Sequence, residues 1–229
     1  MPAKSIPALM GLIGAVLLVF GLWPGIDLAV ADYFHDASGW PVKQSHSVET
    51  LRTLIWDLTL LMPLLALVLL LWARWRGPVL ALPARLWGFV LLLYVIGPGI
   101  LVNGILKAHW GRARPINVME FGGTAQFTPA WQVTDQCAAN CSFVSGEGAG
   151  TMAMVISVGL ILFLLRGRLP KLAMRLGQAA LLMALGFVGW QRVASGGHFL
   201  SDVLMSWLLI ALIAAILARL LPIVAQPRA

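Results

Sequence analysis

Six apolar runs, each free of Asp, Glu, Lys and Arg, punctuate the chain and limit what it can fold into. They cover residues 5–26, 58–73, 86–106, 148–165, 176–191 and 203–218, and the second lengthens to 53–73 if Asp57 sits at an interface. A helix needs about 20 residues to cross the hydrocarbon of a bilayer, with a range of about 17–25. Three runs are only 16 long, and interfacial residues complete them. The pattern predicts an all-α polytopic membrane protein with six transmembrane helices, forming one integral-membrane domain over residues 1–229. Composition agrees. The chain is 60% hydrophobic and 11% charged, against roughly half and about a quarter in soluble domains. It has too few polar side chains to cover a soluble globule, and the same numbers exclude disorder and coiled coil. A cleavable leader is the other reading of the first run, with Lys4 as its basic start and Ala29-Val30-Ala31 as its cleavage site. The length of the run and its interruption at Pro24-Gly25 favour a span.

The net charge is +7. Six spans place both termini on one side, and the Lys and Arg residues then divide unequally. Ten lie in the segments shared with the termini, with no acid among them, and six lie in the opposite segments with all nine acids. Short cytoplasmic loops carry the excess of Lys and Arg, so both termini are expected in the cytoplasm. The positive surplus is then topological and nucleic acid is not needed to explain it. Residues 31–52, 107–147 and 192–202 are expected outside, and they hold the polar chemistry.

Three clusters stand out there. Lys107, His109, Arg112 and Arg114-Pro115 crowd the end of the third span. Such residues serve as headgroup anchors, but here the charge rule disfavours them, which argues for a specific anion. Arg makes forked contacts with phosphate oxygens and Lys acts as a point charge. Next, Ser145-Gly146-Glu147 precedes a long apolar helix. Its free N–H groups and positive dipole end suit an anion, and an ordinary N-cap is the competing reading. Finally, Arg192, Gly196-Gly197, His198 and Asp202 follow one another. The glycines suggest a tight turn before a helix. His198 and Asp202, four apart, are expected to share a helical face, with the carboxylate fixing the imidazole tautomer. Convergence of Lys107, Arg114, Ser145, Arg192 and His198 would give an oxyanion pocket beside a nucleophilic nitrogen, the outline of a phosphoryl-transfer site.

These motifs resemble those of the type 2 phosphatidic acid phosphatase family, the lipid phosphate phosphatases. Lys107 with Arg114-Pro115 matches the family's first motif, and Arg192, His198 and Asp202 match its third. The second motif, Pro-Ser-Gly-His in the family, reads Val144-Ser145-Gly146-Glu147 here. The resemblance implies that His198 becomes phosphohistidine and that Asp202 orients it. It implies that Lys107, Arg114, Arg192, Ser145 and the Gly146 N–H bind the phosphoryl oxygens, and that neither metal nor cofactor is used. It further implies a lipid phosphatase of the bacterial inner membrane, with its active site at the periplasmic face. Substrates of lipid A, undecaprenyl pyrophosphate or phosphatidylglycerol phosphate type fit. Acidic variants of the second motif resemble lipid A phosphatases.

At Glu147 three readings stand open. It is a general acid, if burial raises its pKa; or the leaving group needs little protonation; or the substitution is an inactivating change made for structural work. His109 is a further proton source. A lipid-to-lipid phosphotransferase and a non-catalytic lipid-phosphate-binding or transport protein are the competing functions. The expected partners are the lipid substrate and membrane lipids, with the oligomeric state left open. His35 and His46, near Asp32 and Asp36, read as solvated loop residues sooner than as a metal site. Cys137 and Cys141 are spaced for a small-loop disulfide in an oxidising compartment. Trp23, Trp72, Trp75 and Trp87 read as an interface belt.

Overall fold

The computed structural model describes residues 5–222; Lys4 and Arg228 lie outside them. Among the described residues the secondary structure is helical apart from isolated bridges. The order is α1 (Ser5–Leu22), α2 (Gly25–Asp32), α3 (Pro41–Gln44), α4 (His46–Trp75), α5 (Ala84–Tyr94), α6 (Lys107–His109), α7 (Gly146–Leu164), α8 (Lys171–Ala194) and α9 (Leu200–Leu220). Six helical stretches are long and apolar enough to cross a membrane: α1, α4, residues 84–109, α7, α8 and α9.

The core runs along α5, α7 and α9. Leu86, Phe89, Val90 and Leu93 of α5 pack with Ala149 and Ala153 of α7 and with Ile210 and Ala214 of α9, all almost fully buried. Hydrocarbon is as apolar as leucine, so membrane helices associate through close packing at small residues. The buried face of α7 is built that way, from Gly146, Gly148, Ala149, Gly150, Ala153 and Ser157. Helix α4 adds Ala66 to this core and α1 and α8 lie around it, while their leucines (Leu18, Leu61, Leu64, Leu182) remain exposed for lipid.

Four sequence expectations are refined. The first apolar run breaks at Pro24, where α2 begins and carries Asp27 inward to a fully buried position. Helix α4 starts at His46, not at 53 or 58, so Glu49, Arg52 and Asp57 are helical. Membrane helices continue into the polar zone, where charge does not mark their end. Trp87 is no belt residue; it is 5% exposed within the core, whereas Trp23, Trp72 and Trp75 are exposed. Finally, the third span is π-helical over Val95–Leu106. Pro98 inside it lacks an N–H to donate to the preceding turn. The Asn103 side-chain amide donates to the Pro98 carbonyl at 2.7 Å, and the widened turn leads into Lys107.

At one end of the bundle, residues 110–145 fold over the helix ends. A second apolar cluster of Ala31, Trp40, Ala113, Val118, Phe121 and Phe199 fixes them there. His35 packs edge-on against Trp40 and lies against Phe121.

Candidate active site

Each of the three sequence clusters is delivered by a different element to this end of the bundle. Lys107 comes from the last turn of the third span, Gly146 and Glu147 from the start of α7, Arg192 from the end of α8, and His198 from the turn before α9. The α8–α9 turn closes because the Arg192 carbonyl accepts both the Gly197 and His198 N–H groups. Gly196 takes a φ of +68°, and a Cβ on Gly197 would collide with the Arg192 guanidinium. Gly196 is thus required by conformation, and a side chain at 197 would push the Arg192 guanidinium aside.

A cavity of about 220 Å³ gathers Asn103, Lys107, Arg114, Gly146, Glu147, Arg192 and His198, with Trp56 and Asn140 completing its wall. Six of the eight predicted site residues therefore converge. Ser145 and Asp202 stand behind the wall. The Ser145 hydroxyl is fully buried and accepts the Gly148 N–H at 3.1 Å, making it the N-cap of α7. The ordinary capping reading of that hydroxyl is the one the fold uses. His109 is exposed and lines no part of this cavity.

His198 is held in one tautomer. Its Nδ1 lies 2.7 Å from the Ser142 carbonyl oxygen. A carbonyl only accepts, so Nδ1 carries the proton and a neutral ring keeps its lone pair on Nε2. Burial pulls the imidazole down to about 3, assisted by the Lys107 and Arg192 cations and opposed by Asp202. The ring is therefore neutral at physiological pH and suited to nucleophilic attack.

Asp202 does not share a helical face with His198, which precedes α9. It is 3.9 Å from Nδ1, too far for a hydrogen bond. It accepts instead from the Ser142 hydroxyl at 2.6 Å, from the Phe199 N–H at 2.9 Å and from Arg112 Nη1 at 2.6 Å. Asp202 thus fixes Ser142, whose carbonyl fixes His198.

Arg112 anchors this chain of contacts. It is fully buried and reaches Asp202 through Nη1, Asp27 through Nη2 at 2.9 Å and the Thr128 carbonyl through Nε at 2.9 Å. Its guanidinium lies 4.4 Å from the Phe199 ring centre. Burial works against the charge, but the Asp202 and Asp27 carboxylates raise its pKa further. Sequence reasoning counted Arg112 among the cations and gave it no partner; Asp27 and Ser142 were not singled out at all.

Two of the cavity's cations are set by loop carbonyls. Lys107 Nζ donates to the Cys141 carbonyl at 3.0 Å, and Arg114 Nη2 donates to the Asn140 carbonyl at 2.8 Å. Arg114 is lowered by burial and by the neighbouring Arg192. Both carbonyls belong to the loop that the Cys137–Cys141 disulfide closes. Loosening it weakens two contacts to charged donors, each worth about 1.5–3 kcal/mol. Cys137→Ser is therefore expected to raise KM for a lipid phosphate about tenfold with a smaller change in kcat, and an unchanged KM would contradict this coupling.

Glu147 faces two guanidiniums. Its Oε1 accepts from Arg52 at 2.8 Å and from Arg192 at 3.0 Å, while its Oε2 is buried without a partner among the described residues. Arg52 also pairs with Glu49 at 2.8 Å, and Gln191 donates to Glu49. Glu49 and Arg52 escaped the sequence reading because they precede the apolar run; their three-residue spacing on a helix was the available signal.

An imidazole of fixed tautomer, three cations and a helix N-terminus around one cavity within a membrane bundle are the parts that phosphoryl transfer requires. Comparison with known proteins agrees. The PAP2 superfamily pattern matches residues 87–224. The chain is 35% identical over 214 residues to a lipid A 4'-phosphatase of Rhizobium leguminosarum, covering 85% of this chain and 86% of that one. It is 33% identical over 213 residues to a lipid A 4'-phosphatase of Rhizobium etli, covering 85% and 78%. Its fold is similar to the crystal structure of a transmembrane PAP2-type phosphatidylglycerolphosphate phosphatase from Bacillus subtilis, with a TM-score of 0.60, 20% identity and coverage of 98% and 100%. The chain belongs to the PAP2 superfamily. It is a multi-pass membrane lipid phosphatase, a phosphomonoester hydrolase.

Proposed function

We propose that this phosphatase removes the phosphate of a lipid A-type glycolipid at the periplasmic face of a bacterial inner membrane, through a phosphohistidine at His198. The observation that carries the mechanism is the bond from His198 Nδ1 to the Ser142 carbonyl, which leaves Nε2 as the attacking nitrogen. Nε2 attacks phosphorus as the bond to the lipid oxygen breaks, and that oxygen takes a proton from water. The hydroxide so formed takes a proton from a second water as that water attacks the phosphoimidazole; the P–N bond breaks, its electron pair returns to Nε2, inorganic phosphate leaves and the ring is neutral again. Lys107, Arg114, Arg192 and the Gly146 N–H stabilise the oxygens where charge develops. The names of the two rhizobial relatives support the glycolipid. Phosphate release from a panel of lipid A, undecaprenyl pyrophosphate, phosphatidylglycerol phosphate and phosphatidic acid tests the substrate. Fastest release from lipid A is expected, and no release from it sinks that assignment. Label retained on a second lipid instead of phosphate in water would mark a phosphotransferase.

Glu147 acts in this reading as a positioning residue. Both of its ion pairs use it as an acceptor, and one of them fixes the angle of Arg192. Glu147→Gln should raise KM about tenfold, the loss of a charge-assisted contact, and should do so equally for a lipid alkoxide and an activated aryl phosphate. A kcat loss confined to the lipid would make Glu147 the proton donor instead.

The orientation rests on the 10-to-6 division of Lys and Arg. Gln132 and Gly167 are both exposed, and lie in loops expected on opposite sides. Cysteine at Gln132 is expected to react with an impermeant thiol reagent in intact spheroplasts, and cysteine at Gly167 only after permeabilisation. The reverse labelling would turn the site to the cytoplasm.

A further inference from the structure

A second cavity, of about 270 Å³, adjoins the first and shares Arg114, Glu147 and Arg192 with it. Lys43, Glu49, Arg52 and Ser195 line the rest, with Ile116 and Gly197, and neither His198 nor Lys107 takes part. Over the two cavities together five cations (Lys43, Arg52, Lys107, Arg114, Arg192) face two carboxylates (Glu49, Glu147), a surplus of three positive charges, one more than a single phosphoryl dianion neutralises. Two donors in its walls are unused among the described residues, Arg192 Nε and Ser195 Oγ. Ser195 is 4% exposed. A buried donor without a partner costs about 1–3 kcal/mol. An ion-pair network built only to hold the helices together would close its donors on its own carboxylates. This one leaves a buried guanidinium nitrogen and a buried hydroxyl without partners among the described residues, although Glu147 Oε2 is also unpaired, and the exposed Lys43 lines the same cavity. Water satisfies donors but not a charge surplus, whereas an anion satisfies both.

The geometry points to a second anion subsite, which takes a further anionic group of the same lipid headgroup whose phosphoryl reacts at His198. The inference rests on the phosphatase reading above. Glu147 stands as the partition between the cavities. It uses one edge of Arg192 through Nη1, leaving Nε for the second anion. The subsite selects headgroups with two phosphates over those with one. The second group is either the inner phosphate of a diphosphate ester or a separate phosphate elsewhere on the headgroup.

Two substrate pairs separate these sources: a polyprenyl diphosphate against its monophosphate, and a glucosamine-disaccharide lipid with two phosphates against the same lipid with one. Lys43 is exposed, so Lys43→Gln probes the subsite without disturbing the fold, and Ser195→Ala probes its buried donor. In the protein as it stands, kcat/KM favours the doubly charged member of at least one pair. Either substitution is expected to reduce that preference about tenfold, the worth of one contact to a charged group. An unchanged preference in both pairs, or equal losses on both members of each pair, overturns the subsite. The same lipids in nanodiscs are also titrated onto His198→Ala protein with and without Lys43→Gln. If no lipid is hydrolysed, the phosphatase reading fails alone. The subsite then stands if Lys43→Gln weakens binding of the doubly charged lipid selectively, and falls if it does not.

Discussion

His198→Ala abolishes hydrolysis of lipid phosphates, with a fall in kcat on the order of 10⁴-fold or more, because loss of a nucleophile leaves only binding and electrostatic stabilisation. The fold survives, since the imidazole makes one hydrogen bond, to a carbonyl, and carries no charge at neutral pH. Thermal unfolding and the elution volume of the purified variant check that the loss is chemical. The pH dependence carries a second signature. The folded-state pKa lies near 3, below the ordinary histidine value of 6.5. The unfolded chain therefore binds the extra proton first as pH falls. The stability owed to a neutral His198 is complete above pH 6.5 and is lost from there down towards pH 3. Between pH 6 and 8 the nucleophile does not titrate, so any change of rate in that range comes from other groups or from the substrate. Turnover in His198→Ala close to that of the unaltered protein would remove the residue from the mechanism.

Arg112→Met carries the largest expected cost in stability. It leaves Asp27 and Asp202 buried and uncompensated, and removal of one partner from a buried ion pair costs about 3–5 kcal/mol. Both carboxylates are within 1% of complete burial. The effect reaches catalysis through a defined chain, from Asp202 to the Ser142 hydroxyl and from the Ser142 carbonyl to His198. Arg112→Lys supplies the charge but not the fork, so it is expected to recover part of the stability and less of kcat. The triple change Arg112→Met, Asp27→Asn, Asp202→Asn removes the stranded charges. It should unfold at a higher temperature than Arg112→Met alone while remaining inactive. A triple variant no more stable than the single one would show that Arg112 contributes by packing on Phe199 and not by charge.

The spans were legible because the bilayer imposes a length and a composition that few other structures satisfy. Their ends were not, since a helix leaving hydrocarbon does not stop at its first charge; α4 runs on through Arg52 and Glu49 to His46. The candidate site residues were legible through spacing. Lys107, Arg114, Arg192 and His198 occupy motif positions, and the structure gathers them around one cavity. Hidden instead was the scaffold behind them. Arg112 meets Asp27 and Asp202 across 85 and 90 residues of chain, and no local periodicity announces such a contact. Asp202 shows the limit of motif reasoning from the other side. Its four-residue offset from His198 suggested a direct bond, but the helix begins between the two, and the carboxylate turns to Ser142. Trp87 failed as an interface residue for a related reason: composition marks tryptophan as amphipathic, and only packing shows which face of α5 is buried.

The central claim is that a neutral His198 receives the phosphoryl group from a lipid. Its most direct test is rapid quenching of the purified protein during turnover of a ³²P-labelled lipid phosphate, followed by peptide mapping. The account predicts label on the peptide containing His198, stable in alkali, released by acid, and absent from His198→Ala. Label that appears only as free phosphate at every quench time, or that maps to a peptide without His198, would contradict it.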